Sequence, residues 1–133
     1  MMKKVLFAVL VLSALVLAAC GAGADTVATL APVPADYAGK TNPLGADAAT
    51  AGAEVFKTNC ESCHGPLGKG DGPAGAALDP TPKDLSVLQL TAGDDFLYWR
   101  INTGKEGTGM VAWKGTLTDE QIWQVVSFIR TLK

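Results

Sequence analysis

Apolar and polar positions divide the 133-residue chain into three regimes. The first is an unbroken apolar run from Val5 to Leu17, preceded by Lys3 and Lys4. It is too short to span a bilayer comfortably and has the form of a signal-peptide hydrophobic region. From Gly21 to about Ala48 the chain is mostly Ala, Gly, Pro, Thr and Asp without a period, which predicts a flexible tether. A strand packed on the following domain is the alternative there, resting on Val27, Leu30, Val33 and Tyr37. Helical spacing sets in over residues 49–133.

The first helix is expected over 49–63, where Gly52, Phe56 and Cys60 share one face. The bare Gly52 would let another backbone approach closely. Glycine and proline density makes residues 65–85 a loop, with at most one helical turn at Ala74 to Leu78. That loop lacks the strand-then-helix frame and the Gly-Lys-Ser/Thr ending of a phosphate-binding loop. A second helix is expected from Thr91 to Thr103, with Thr91 as N-cap, Asp94 at the third helical position and Gly104 as its end. Residues 104–110 form an open loop. Thr118-Asp119-Glu120-Gln121 has the form of a capping box, and Ile122, Val125, Val126, Ile129 and Leu132 recur as one buried face. Nothing reads as a strong strand, so the expected class is all-α, with one small domain.

The formal net charge of −2 gives no support to a nucleic-acid partner. Leu17-Ala18-Ala19-Cys20 resembles the lipobox of bacterial lipoproteins, in which the signal is cut before the cysteine and its sulfur carries a diacylglycerol. The expected organisation is a signal peptide at 1–19, a lipid-anchored tether at 20–48 and a domain at 49–133. Loss of Lys3 and Lys4 from 11 basic residues leaves 9 against 13 acidic, a mature charge of −4. Cleavage after Ala22-Gly23-Ala24, or retention of Val5 to Ala24 as an anchor, are the other readings of this end. All three export the domain, and the first places it on the periplasmic side of a cell membrane.

Cys60-Glu61-Ser62-Cys63-His64 carries the chemistry. Cys-x-x-Cys-His reads as a c-type haem attachment site, with both thiols forming thioethers and the histidine as an axial iron ligand. A redox Cys-x-x-Cys expects an α/β context, and a zinc site expects two further Cys or His ligands. His64 is the only histidine, and the third cysteine is Cys20. Lipid on Cys20 and haem on Cys60 and Cys63 would leave no free thiol. Met1 and Met2 leave with the signal peptide, so Met110 is the remaining methionine and the expected sixth ligand of the iron. An open or lysine-ligated iron is the alternative.

Gly52, Phe56, Cys60-x-x-Cys63-His64-Gly65, then Gly104, Gly109-Met110 and a capped helix ending Val125-x-x-Phe128-Ile129 resemble the class I c-type cytochromes. The resemblance covers residues 49–133 and implies a small helical fold around one covalent haem c. It also implies that the first and last helices cross at right angles, with Gly52 and Phe56 meeting Val125 and Phe128. A loop proline, Pro80 or Pro82, would offer its carbonyl to the axial histidine. Many bacterial members carry proline after the methionine, where this chain has Val111. Residues 70–85 further resemble small cytochrome subunits and domains of bacterial respiratory complexes.

The expected function is therefore transfer of single electrons by a membrane-tethered monohaem cytochrome in a respiratory or photosynthetic chain. Phe56, Leu78, Leu97, Trp99 and Trp113 are the expected haem-burying side chains. Its partners would be the membrane, through the lipid, and redox proteins or a membrane complex. A fixed subunit of a larger oxidoreductase is the alternative. A sensor or peroxidase would need a distal acid–base partner, and the single candidate, Arg100, reads as a helix surface residue. Lysines 57, 69, 83, 105 and 114 are scattered and mark no basic docking face.

Overall fold

The computed structural model describes residues 29–133. The expected signal peptide, Cys20 and the first part of the expected tether lie outside the described residues. A compact unit runs from Pro32 to Lys133. Its elements are α1 (Ala48–Asn59), α2 (Glu61–His64), a 3-10 turn (Gly75–Ala77), α3 (Leu85–Leu88), α4 (Asp94–Thr103) and α5 (Asp119–Ile129). Among the described residues the only β pairing is an isolated bridge between Lys114 and Leu117. The class is all-α.

The α1–α5 contact is the centre of the core. Phe56, Ile122, Val125 and Val126 are almost completely withdrawn from water, each contributing about 1.5–3 kcal/mol by burial. Gly52 makes the crossing possible. A Cβ there would lie 2.5 Å from the Gln124 carbonyl carbon and 3.1 Å from Phe128 Cβ. Phe56 stacks at a tilt on Phe128, ring centroids 5.0 Å apart. α5 starts as expected, with a reciprocal capping box between Thr118 and Gln121. Arg130, just past its end, bonds Asp94 at 2.6 Å and the Ala92 carbonyl at 2.8 Å, holding the entry to α4.

Three expectations shift. The helix expected over 49–63 is interrupted at Cys60, whose φ of −119° leaves the helical range. α4 begins at Asp94 with Gly93 as N-cap, not at Thr91, and the Thr91 hydroxyl turns back to the Leu88 carbonyl. α3 forms at the end of the expected loop, over residues to which no element was assigned beyond Leu85, because Asp84 Oδ1 accepts from the Ser86 and Val87 N–H groups and caps it.

The fourth correction concerns the tether. Residues 32–47, expected within it, form a strap lying against α4 and α5, so the domain boundary falls near Pro32 and not at 48/49. The Tyr37 hydroxyl donates to Asn102 Oδ1 at 2.9 Å, and the Gly39 N–H to Asp95 Oδ2 at 2.9 Å. Asn42 gives its N–H to Asp94 (3.1 Å) and its amide to the Trp123 carbonyl (3.1 Å) and Ser127 Oγ (2.8 Å). Polar side chains, and not an apolar stripe, fasten this segment.

Candidate functional site

The site starts at the joint between α1 and α2. The Cys60 N–H closes α1 on the Phe56 carbonyl at 2.7 Å, and Cys60 then serves as N-cap of α2. Both Cys60 and Cys63 are half-buried free thiols. Burial, and next the neighbouring Cys63, push the Cys60 thiol up to about 12. This is the opposite direction from the lowered thiol pKa of redox Cys-x-x-Cys pairs.

Gly65 ends α2 with φ +75°, in the left-handed region. The following loop then folds back and satisfies the open carbonyls of α2. Gly70 N–H bonds His64 O (2.8 Å), Gly72 N–H bonds Cys63 O (3.2 Å) and Ala74 N–H bonds Ser62 O (2.8 Å). At Gly72 a Cβ would sit 2.5 Å from the Ser62 carbonyl oxygen, so this docking needs glycine.

His64 packs at a tilt near Phe56, ring centroids 6.4 Å apart. Its Nδ1 is buried without a hydrogen bond. Burial lowers the basicity of the ring, and the backbone carbonyl of Lys83 partly restores it. That carbonyl is near enough to act on the ring but not in hydrogen-bond geometry. The carbonyl that acts on the ring is that of Lys83, the residue after Pro82. With Nδ1 buried, Nε2 is the nitrogen available to a metal.

Met110 is half-buried in a loop braced along the end of α4. The Lys105 N–H bonds its carbonyl at 2.9 Å, and its own N–H bonds Thr108 Oγ1 at 3.2 Å. Trp113 and Lys114 return N–H bonds to the Ile101 and Asn102 carbonyls at 3.1 and 3.0 Å. Gly104 lies so close that a Cβ would meet Met110 O at 2.6 Å. Val111, where proline is common in the family it resembles, is 61% exposed. These hydrogen bonds stiffen the loop in place of a ring. Leu78, from the loop after His64, touches Gly109: a Cβ there would meet Leu78 Cδ2 at 2.7 Å. The His64 and Met110 segments therefore meet.

Phe56 and Leu97 are buried, whereas Leu78, Trp99 and Trp113 are half-buried. Arg100 is no plain surface residue. Its guanidinium carbon lies 3.8 Å over the Trp99 ring and 5.5 Å over Phe96.

Two free thiols, a histidine with a buried Nδ1, and a thioether on an adjoining loop form a donor set that fits haem c. The family described as cytochrome C oxidase, cbb3-type, subunit III matches residues 47–129. The chain belongs to this family. It is a monohaem c-type cytochrome with covalently bound haem c and an electron-transfer role. Its haem domain is extracytoplasmic.

Among curated relatives, the cbb3-type cytochrome c oxidase subunit FixPc of Rhizobium leguminosarum bv. viciae is 34% identical over 96 residues, 71% of this chain and 31% of its own length. FixP of Bradyrhizobium diazoefficiens is 31% identical over 109 residues, 81% of this chain and 35% of its own length. The chain thus spans about a third of these relatives. Cytochrome c6 of Thermosynechococcus vestitus is 34% identical over 65% of this chain and 70% of its own length. Among solved structures, a chain of the Kuenenia stuttgartiensis reducing HAO-like protein complex superposes with a TM-score of 0.59 at 27% identity. That match covers 68% of this chain and 47% of the other. No helix among the described residues is long and apolar enough to cross a membrane.

Proposed function

We propose that Cys60 and Cys63 hold the haem through two thioethers, that His64 and Met110 ligate its iron, and that the chain is a lipid-anchored carrier of single electrons. The observation that supports this most directly is the meeting of the two ligand-bearing segments at Leu78 and Gly109. The haem supplies reversible one-electron exchange between its ferric and ferrous states. His64 is held in orientation by its buried Nδ1 edge and by Phe56. Met110 offers a neutral, soft sulfur that favours the ferrous state, and its braced loop limits how far that sulfur can swing away. Phe56, Leu97, Leu78, Trp99 and Trp113 exclude water. Held by both His64 and Met110, the iron would have no coordination site left for a substrate, and the chain would act as an electron carrier and not as an enzyme. Arg100 is engaged in stacking on Trp99.

Cys20 is the proposed lipid attachment site, which would place the chain on the outer face of a cell membrane. A fixed role within a larger oxidoreductase is the second reading. The FixP relatives favour it, and the 70% coverage of cytochrome c6 favours a free carrier. Mild-detergent purification distinguishes the two by what co-purifies.

Met110→Ala tests the central assignment. Wild-type ferrous protein is expected to bind carbon monoxide slowly, and the oxidised protein to show the weak near-infrared sulfur-to-iron band. The variant is expected to lose the band and bind carbon monoxide quickly. Rapid binding by the wild type, with no band, would show that Met110 is not the ligand. Denatured wild type should keep its haem stain, and Cys20→Ser should yield an unlipidated protein with an unchanged haem spectrum.

A further inference from the structure

We propose that Tyr37 is a positioning residue for the segment carrying Met110, acting through Asn102. This rests on the assignment of Met110 to the iron. Tyr37 belongs to the strap at 32–47, nearly all of which lies outside the residues that match the family. Its hydroxyl donates to Asn102 Oδ1 at 2.9 Å across 65 positions of sequence. Asn102 is 4% exposed and sits in the last turn of α4. The carbonyl of Asn102 receives the Lys114 N–H, and that of Ile101 receives the Trp113 N–H. Those two bonds hold the far limb of the Met110 loop. The near limb is held at Gly104 and by the Lys105 N–H on the Met110 carbonyl.

Asn102 is thus the joint at which the strap meets the base of the ligand loop. A buried amide oxygen deprived of its donor is costly, and the residue relieves that cost by turning or by admitting water. Either response shifts the last turn of α4 and loosens the loop built on it. The strap has a second fastening that does not involve this joint. Asn42 grips Asp94 at the start of α4 and Trp123 and Ser127 on α5. The two fastenings can therefore be cut separately.

Tyr37→Phe removes the hydroxyl and keeps the ring, which packs 6.2 Å from Tyr98. Asn42→Ala loosens the strap without touching Asn102. Both are made in the full-length haem-loaded protein, and each is measured for denaturation midpoint, carbon monoxide association with the ferrous form, and the temperature at which the sulfur-to-iron band disappears. Both variants are expected to be less stable. Only Tyr37→Phe is expected to accelerate carbon monoxide binding, roughly three- to tenfold, the effect of one lost hydrogen bond on a loop-opening equilibrium. It should also lose the band further below its unfolding temperature than the wild type does.

If Tyr37→Phe keeps wild-type association and band, or if Asn42→Ala accelerates binding equally, the strap is only structural and the proposal fails. A wild type that binds carbon monoxide quickly and lacks the band defeats the Met110 assignment itself. That failure is seen before any strap variant is made.

Discussion

Gly52→Ala is the most demanding test of the α1–α5 crossing. The added methyl would be driven into the Gln124 carbonyl, 2.5 Å from its carbon, and 3.1 Å from Phe128 Cβ. Ordinary carbon–carbon contact lies at about 3.5–4.0 Å, so the helices must part by roughly 1 Å. The obstacle is helix backbone and has no rotamer to adopt. Parting also loosens Phe56 from Phe128, now 5.0 Å between ring centroids. Overpacking costs about 1–3 kcal/mol when side chains can adjust, and the upper end or beyond applies here. Alanine returns up to about 1 kcal/mol through helix propensity. The expected net loss is about 2–3 kcal/mol, a fall in melting temperature of roughly 8–24 °C for a unit of this size. Thermal unfolding of the haem-loaded protein by circular dichroism measures it. Gly45→Ala, where a Cβ meets nothing within 4 Å, is the matched control. If Gly52→Ala melts within about 2 °C of that control, the close approach is not what holds the two helices together.

Arg130→Ala removes the bonds to Asp94, Ala92 and Gln89, and is expected to cost about 2–3 kcal/mol in urea denaturation. Burial pushes the Asp94 carboxyl up, but the Arg130 hydrogen bond, the Asn42 N–H and the Arg130 charge more than offset it, leaving it below its ordinary range. The pair therefore stabilises the fold above the ordinary carboxylate range and loses that contribution as pH falls through the lowered value. Arg130→Ala should flatten this acid limb, and an unchanged limb would disprove the pairing. Burial, then the hydrogen bond to Asp119, raise the Tyr98 hydroxyl from 10.0 to about 12. An unfolded chain ionises it first, so stability should fall between these values as pH rises, and Tyr98→Phe should lack that part of the fall.

Local chemistry was the legible part of this fold. The Thr118–Gln121 capping box and the terminating Gly104 lie within one helical turn of what they cap, so the sequence alone places them. The Gly52–Phe128 meeting was implied by the resemblance to class I c-type cytochromes and not by helical spacing, which shows a buried face but not its partner. The helix at 85–88 was hidden among prolines, although Asp84-Leu85-Ser86 is a usable N-cap signal. Thr91 drew the start of α4 three residues early because its hydroxyl caps nothing there and turns back to α3. The strap was the least legible. Tyr37 and Asn42 reach partners 52 to 85 positions away through single polar groups, which leave no period to read. At the site, the donor residues were identifiable by type and spacing. The Lys83 carbonyl near His64 and the Leu78–Gly109 contact depend on loop paths that composition does not determine.

With a lipid on Cys20, the docked strap would set how far the haem can travel from a membrane. If Cys20 carries lipid, a tether running to residue 48 could extend about 100 Å, at about 3.5 Å per residue. With the chain fastened from Pro32 onward, about twelve residues separate Cys20 from the domain, whose full extension would be about 40 Å at most. Because the volume searched scales with the cube of that radius, the haem domain is confined to roughly one-fifteenth of the space, and its local concentration beside the bilayer rises by the same factor. A reach of this kind suits electron exchange with complexes in the same membrane. It works against exchange with a partner on an opposing surface.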